Sequence, residues 1–285
     1  MRIIVTGSKG QLGVELLRTL SGSGREVIGI DLPEFDIAGH DCTGNLIALR
    51  PDYVVHAAAA TDVDRCEHDT DWAFAVNAAG TQSVAEACRQ SGAGLLYIST
   101  DYVFDGRKHT PYREEDAPGP LGVYGRSKLE GEQAVRLTPH WAIARTAWLY
   151  GVHGKNFVKA ILDKALSGGP LRVVDDQVGS PTYAADLAQA IATLVERKLS
   201  GIFHLTNSGT CSWFEFARAI LELTGLSHVP LSPITAKELN RPAPRPAFSV
   251  LDNAAWRAAG LPPLRDWREA LTEMIAALRQ QAAGS

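Results

Sequence analysis

The stretch RIIVTGSKGQLG, residues 2–13, most limits what this chain can fold into. A short run of β character passes glycines at 7, 10 and 13 and enters an apolar-periodic helical segment over residues 11–21. Such a turn presents backbone N–H groups at a helix N-terminus, where the helix dipole adds partial positive charge, an arrangement suited to phosphate. The plainer alternative is a tight β–α turn with no ligand. Against it stands Asp31, an acid at the end of the next strand, REVIGID, where a ribose hydroxyl would be met.

The same alternation continues. PDYVVHAAA reads as a third strand, residues 70–91 as a helix, GLLYIST as a fourth strand, 122–138 as a helix, and WAIARTAWLYG as holding a fifth strand. Strands separated by helices imply right-handed crossovers and a parallel sheet covered on both faces, and the near-continuous apolar runs agree. The fold expected is α/β, a Rossmann-type doubly wound parallel sheet over residues 1–150. Residues 151–285 are expected to form mainly a smaller C-terminal substrate-binding lobe, with later segments returning to the first half. Helices are expected at 154–167, 184–198, 213–224 and 264–281, and short strands at LRVV and GIFHLT.

Composition narrows the partners. The 285 residues are 45% hydrophobic and 21% charged with a net charge of −4, which leaves no basic footprint for nucleic acid or an anionic membrane. The longest apolar run, VVHAAAA, is too short to span a bilayer. The start, MRIIVTG, reads as a strand rather than a leader. Cys42, Cys66, Cys88 and Cys211 form no metal-ligand spacing and fit a reducing cytoplasm, and no histidine is read as a ligand, so no metal site is expected.

The cofactor site expected from these motifs is a dinucleotide cradle of Gly7, Gly10, Gln11, Leu12 and Gly13. Asp31 favours NADH, whereas Lys9 in the loop would meet a 2′-phosphate and favour NADPH, or else stand as a solvated lysine. Both cofactors are therefore expected to be accepted, with a lean to NADH. Asp36 and Ile37 are counted with the cofactor contacts. Ala57, Ala58, Ala59 and Thr61, after the third strand, would let the cofactor lie close, unless the alanines are plain filler. Asn77 would hold backbone near the site, and Ser99 stands at the end of the fourth strand.

That strand end, STDY, adds Thr100, Asp101 and Tyr102 where ligands of open α/β sheets bind. Tyr124 and Lys128 follow four residues apart on one helical face. A tyrosine's ordinary pKa near ~10 makes it a poor acid–base group, and an adjacent ammonium is expected to lower it. Thr100 would polarise the carbonyl that Tyr124 protonates. A Tyr–Lys pair alone is most simply a surface pair; the glycine fingerprint and the strand end make it a catalytic one. The helix also carries glycines at 122, 125 and 131, which weaken it and call for a reason.

TGSKGQLG, STDYVF and YGRSK together resemble the extended short-chain dehydrogenase/reductase family. GQLGVEL, STDYVFDG, RTAWLYG, GKNF, DDQVGSPT and GIFHLTNSG resemble its branch of dTDP-4-dehydrorhamnose reductases over essentially the whole chain. The resemblance implies NAD(P)H-dependent reduction of the C4 ketone of dTDP-6-deoxy-L-lyxo-4-hexulose to dTDP-L-rhamnose. It implies catalysis by Thr100, Tyr124 and Lys128, a sugar pocket lined by Asp101, Tyr102 and Trp148, and a nucleotide diphosphate held by Asn156 and Arg245. Family dehydratases carry Asp-Glu where this chain has Asp101-Tyr102, which argues against dehydration. Some members use magnesium held by glutamates at a dimer contact. Glu15 stands at the matching position, but Ala185 stands where such a member has another glutamate. The resemblance therefore speaks against a magnesium-linked dimer and leaves monomer or homodimer open.

In the second half, Arg241 and Arg245 of NRPAPRP suit phosphate, or else sit on a solvated connector. DDQVGSPT reads as rim contacts to cofactor or substrate. Trp213, Phe214 and Phe216 read as helix core rather than a base-stacking platform. Two other functions remain alongside the ketoreductase: an epimerase or related ketoreductase of the same family, and a cofactor-binding regulatory subunit without turnover.

Overall fold

The computed structural model describes residues 1–22 and 24–283. β1 (Arg2–Thr6) leads through the glycine turn into α1 (Gln11–Leu20), followed by β2 (Glu26–Ile30), α2 (Cys42–Ala48) and β3 (Tyr53–His56). α3 (Val63–His68) and α4 (Thr70–Phe74) precede a π-helical turn at Ala75–Gly80, which runs into α5 (Thr81–Ser91) and β4 (Gly94–Thr100). A 3-10 turn at Asp101–Val103 and a long loop lead to α6 (Val123–Val135) and β5 (Trp141–Thr146). The chain continues with β6 (Leu149–Tyr150), α7 (Phe157–Leu166), β7 (Leu171–Val174), β8 (Val178–Gly179), β9 (Thr182–Tyr183) and α8 (Ala184–Arg197). β10 (Gly201–His204), β11 (Cys211–Ser212), α9 (Trp213–Thr224), β12 (Leu231–Ile234), α10 (Ala236–Leu239), α11 (Ala254–Ala258) and α12 (Trp267–Ala283) complete it.

Six parallel strands form the main sheet in the order β2-β1-β3-β4-β5-β10. The order reverses between β1 and β3, which opens a crevice at their carboxyl ends. Side chains of each strand alternate between two apolar layers. Ile3, Val5, Leu96 and Ile98 pack under α1 and α8, while Ile4, Val54, Leu95 and Tyr97 pack under α2 and α5. GIFHLT, from the second half of the chain, supplies the edge strand β10, and α8 packs on α1, so both return to the first half. A separate core gathers α7, α9, α12 and β7 around Phe216, Ile161, Leu171 and Leu271.

The helix expected over residues 70–91 is not uniform: its middle is the π turn, which contains Asn77. α2 and α3 were not foreseen; both are short, seven and six residues, too brief to print a clear period.

The glycines of α6 follow from its packing. A Cβ at Gly125 would lie 2.1 Å from the Tyr102 carbonyl oxygen, and one at Gly131 would lie 2.6 Å from both the Asn77 carbonyl and the Tyr97 hydroxyl. Gly122 has ordinary φ, but its Cβ would meet the Glu67 carboxylate at 2.6 Å. That carboxylate accepts the Val123 N–H at 2.6 Å, so α3 caps the first turn of α6. Gly125→Ala should therefore lower Tm by a few degrees, since overpacking against backbone costs about 1–3 kcal/mol. Gly44→Ala on α2, where a Cβ meets nothing within 4 Å, should hold or raise Tm in the same thermal melt.

Candidate active site

The crevice at the switch point opens into a cleft of about 580 Å³. One wall is the glycine turn. Gly7 adopts φ +67°, and a Cβ there would fall 2.7–2.9 Å from the backbone of Ala57 and Ala58. At Gly13 a Cβ would meet the Gly7 carbonyl at 2.1 Å. Both positions need glycine: Gly7 so that the turn can press against the loop after β3, and Gly13 so that α1 can start against the turn itself. The expected residues Gly10, Gln11, Leu12, Asp31, Asp36, Ile37, Ala57, Ala58, Ala59 and Thr61 line this cleft with Gly7 and Gly13. On its other side stand Ser99, Thr100, Asp101, Tyr102, Tyr124, Lys128 and Trp148.

Four expected residues lie elsewhere. Lys9 lines an adjoining cavity with Asp31, Glu34 and Phe35. Its ammonium donates to Glu34 and to the Leu32 carbonyl, both at 2.7 Å. Asp31 in turn accepts the Lys9 and Leu32 N–H groups at 2.7 and 2.8 Å. Asn77 is fully buried behind the cleft. Its amide takes the Ala60 N–H, donates to the Ala60 carbonyl and reaches the Ser127 hydroxyl, so it fastens the β3–α3 loop to α6. Asn156 and Arg245 line a second cavity, of about 680 Å³, which shares Val63, Tyr102, Lys155 and Trp213 with the first. Asn156 caps α7, accepting the Lys159 N–H at 3.2 Å and donating to the Gly151 carbonyl at 2.7 Å.

The reacting side is buried, and burial sets its charges. Tyr124 lies edge-on to Tyr102, and burial pushes its phenol above the ordinary tyrosine range. The Thr100 hydroxyl beside it works in the opposite direction. The expectation that Lys128 would lower this pKa is corrected here. The Lys128 ammonium donates to the Ile98 carbonyl at 2.7 Å and lies 4.0 Å from the centre of the Tyr97 ring. Burial pulls Lys128 down to about 7, with Glu132 opposing. Asp101 is raised to about 6 by burial, partly offset by the hydroxyls of Ser249 and Thr100.

Other expectations change in detail. Trp213 is not simply core: it stacks on Trp148, with ring centres 3.5 Å apart and planes at 6°, and lines both cavities. Phe216 is fully buried as expected. Trp148 holds φ +48°, a conformation side chains rarely adopt, and its indole fills the space that a Cβ at Gly179 would occupy. In DDQVGSPT, Asp175 accepts the Ser212 hydroxyl, Asp176 accepts the Ala236 N–H at the start of α10, and Gln177 lines the second cavity. Arg241 lines the second cavity but stands half exposed, 3.7 Å from Asp64. Glu15 is paired with Arg18 at 2.9 Å, and among the described residues no three His, Cys, Asp or Glu side chains cluster as a metal would need. Sequence reading missed Phe35, Lys155 and Thr146 on the cleft, whose residue types carry no signal of their own.

A cleft of this shape, set between a glycine cradle and a Thr–Tyr–Lys group whose Thr100 and Lys128 are buried, defines an oxidoreductase of the extended short-chain dehydrogenase/reductase class. Residues 1–280 match the RmlD substrate binding domain family, and the chain belongs to it. It is similar to the spore coat polysaccharide biosynthesis protein SpsK of Bacillus subtilis, at 45% identity over 96% of each chain. It is 43% identical to a dTDP-4-dehydrorhamnose reductase of Mycobacterium tuberculosis, over 97% of this chain and 93% of that one. Among solved structures, a dTDP-4-dehydrorhamnose reductase of Bacillus anthracis in complex with NADP superposes with a TM-score of 0.94. That pair is 38% identical, over 97% of this chain and 99% of the other.

The raised Asp101 carboxyl has a consequence for stability. A carboxyl whose folded pKa lies above its unfolded value binds more protons in the native state, so its contribution is full below about 4 and is lost as pH rises to about 6. Relative to Asp101→Asn, the wild type should lose up to about 3 kcal/mol of unfolding free energy across that window and then level off. Urea melts of both proteins between pH 4 and 8 would measure it; a pH-independent difference would contradict the assignment.

Proposed function

We propose that the chain reduces the C4 ketone of dTDP-6-deoxy-L-lyxo-4-hexulose to dTDP-L-rhamnose, in nucleotide-sugar biosynthesis. The observation that carries this reading is the meeting of Thr100 and Tyr124 at the carboxyl end of β4, across the cleft from the glycine cradle. The likeness to the Mycobacterium tuberculosis reductase supports the sugar nucleotide as substrate.

The glycine cradle fits a dinucleotide, because glycines at 7 and 13 let a tight turn pack between the loop after β3 and the start of α1, whose N-terminus offers N–H donors to a pyrophosphate. A reduced nicotinamide held there would supply the hydride. NADPH and NADH are both proposed. The NADP complex of the Bacillus anthracis relative favours the first, while Asp31 and the pairing of Lys9 with Glu34 favour the second. Tyr124, kept neutral by burial, is a phenol ready to protonate the carbonyl oxygen. Thr100 donates a second hydrogen bond to that oxygen and so polarises it. Lys128, anchored on the Ile98 carbonyl at the cleft, would bind the nicotinamide ribose.

Residues 151–285 are proposed to supply most of the substrate-binding lobe. The second cavity carries Lys155, Lys164, Arg172, Arg241 and Arg245, a cationic lining suited to a nucleoside diphosphate. Asp101-Tyr102 offers no second carboxylate for eliminating water, which favours reduction over dehydration.

Tyr124→Phe should lower kcat by about 10²–10⁴-fold in an NADPH or NADH oxidation assay with the 4-keto-6-deoxy sugar nucleotide. Turnover at the wild-type rate would remove Tyr124 from the mechanism. One reduced nicotinamide oxidised per product separates a reductase from an epimerase, which consumes none. Stable cofactor binding with no turnover on any 4-keto sugar nucleotide would instead mark a regulatory subunit.

A further inference from the structure

Tyr124, Lys128 and Glu132 recur every four residues of α6, so they stand on one face, each about 6 Å further along the axis. The first two line the cleft, and the third does not. Glu132 is wholly buried and faces Arg145 of β5, itself 1% exposed. Arg145 Nε donates to Glu132 Oε1 at 2.8 Å and Nη2 to Oε2 at 2.7 Å. The Ser99 hydroxyl donates to Oε1 at 2.6 Å. Ser99 and Arg145 are register partners across β4 and β5, and the next pair is Thr100 with Thr146, both on the cleft. One carboxylate therefore joins the helix of Tyr124 and Lys128 to the two strand ends that bring Thr100 and Thr146 to the cleft.

We propose that Glu132 is a positioning residue of the reaction: gripped by Arg145 and Ser99, it fixes the register and rotation of α6 against β4 and β5, and thereby sets Tyr124 and Lys128 over the cleft. This rests on the assignment of Tyr124 and Lys128 to catalysis. A buried ion pair is a poor source of stability, because desolvation offsets its attraction and apolar residues of like volume do as well or better. What the forked pair provides is direction, since two parallel N–H···O bonds admit one relative orientation of helix and strand. Glu132 stands about 12 Å along the axis from Tyr124, so it acts through the helix and not on the substrate.

Its charge also bears on Lys128. Around that ammonium stand the Tyr97 ring and the Ile98 carbonyl from β4, with His56 from β3 and Glu132 on its own helix acting on its charge, while Asp101 and Tyr102 from the turn after β4 act on Tyr124. Arg145 from β5 and Arg136 at 3.8 Å stand against Glu132. α3 brings Glu67 to the far end of the helix, α4 the buried Ala73, and the π turn and α5 the neutral Asn77 and Thr81. Burial disfavours the ammonium, and Glu132 counters it.

The test uses the full-length enzyme with Glu132→Gln, and with Glu132→Leu combined with Arg145→Met. For each, Tm, NADPH binding by fluorescence and the pH profile of kcat/KM are measured. The double variant should fold and bind NADPH while kcat falls by about tenfold or more. Glu132→Gln should move the alkaline limb of the profile to lower pH, because Lys128 then loses its proton sooner. A loss of packing alone would leave that limb where it is. Folded variants with wild-type kcat and an unmoved limb would overturn the proposal. Should the double variant fail to fold, Glu132→Gln decides by the same two readouts. Tyr124→Phe runs alongside: if it turns over normally, the site assignment fails, and if it is silent while the Glu132 variants run at full rate, only this inference fails.

Discussion

The site depends on how closely α6 approaches the end of β4. The backbone of the helix touches the Tyr102 carbonyl at Gly125 and the π turn at Gly131, with no room for a methyl group at either place. Any side chain there would lift the helix and carry Tyr124 and Lys128 away from Thr100. The lost helix propensity, about 1 kcal/mol for each glycine, is the cost of that proximity. The π turn contributes to the same contact. Its extra residue per turn carries Asn77 to the position from which one amide ties the loop after β3 to Ser127 of α6. The glycine cradle on one side and the Tyr–Lys helix on the other are thus two close backbone approaches, made independently and facing each other across one cleft.

Proximity of this kind excludes water, and the ionisation states follow from that exclusion more than from neighbouring charges. For Tyr124, Lys128 and Asp101 the largest influence is burial, and in each case it favours the neutral form. From the sequence, an ammonium placed beside the phenol is expected to lower the phenol's pKa. In the fold, Lys128 turns to the Ile98 carbonyl and the Tyr97 ring instead. A neutral phenol is the form a ketone needs from a proton donor, which agrees with the role proposed for Tyr124.

What could be read in advance was whatever a local pattern dictates. The strand–glycine–helix junction, the apolar parallel strands and the polar strand end at Ser99–Tyr102 each announce themselves within a dozen residues, and each lies where expected. The partner of a residue was harder to read, because it is set by packing between distant segments. The family resemblance implies Asn156 at the diphosphate, and in the fold it borders the second cavity from a helix start, where its amide caps α7. Trp213 fits a helix core by period, yet the unusual backbone of Trp148 turns that indole onto it. Lys9 and Glu34 are 25 residues apart and meet only because β2 returns beside β1. Glu132 carries no local signal of its own, and its partner Arg145, 13 residues on, meets it only because β5 lies against α6.

The same distinction explains the proline-rich loop over residues 240–249. By composition it is a connector with two arginines. In the fold, Asp64 of α3 accepts the Ala243 N–H at 3.2 Å and the Arg245 guanidinium at 3.0 Å, and Arg245 donates back to the Ala243 carbonyl at 2.9 Å. The first half of the chain therefore holds the loop of the second, and the arginine reaches the second cavity already oriented. A side chain as long as arginine loses rotamer freedom when it is ordered, and here much of that loss is incurred in folding rather than on meeting a ligand. Asp64 lies one residue beyond Val63, which borders both cavities. Loop, helix α3 and cleft thus form one connected wall, and the geometry of the second cavity is tied to the same segment that closes over the first.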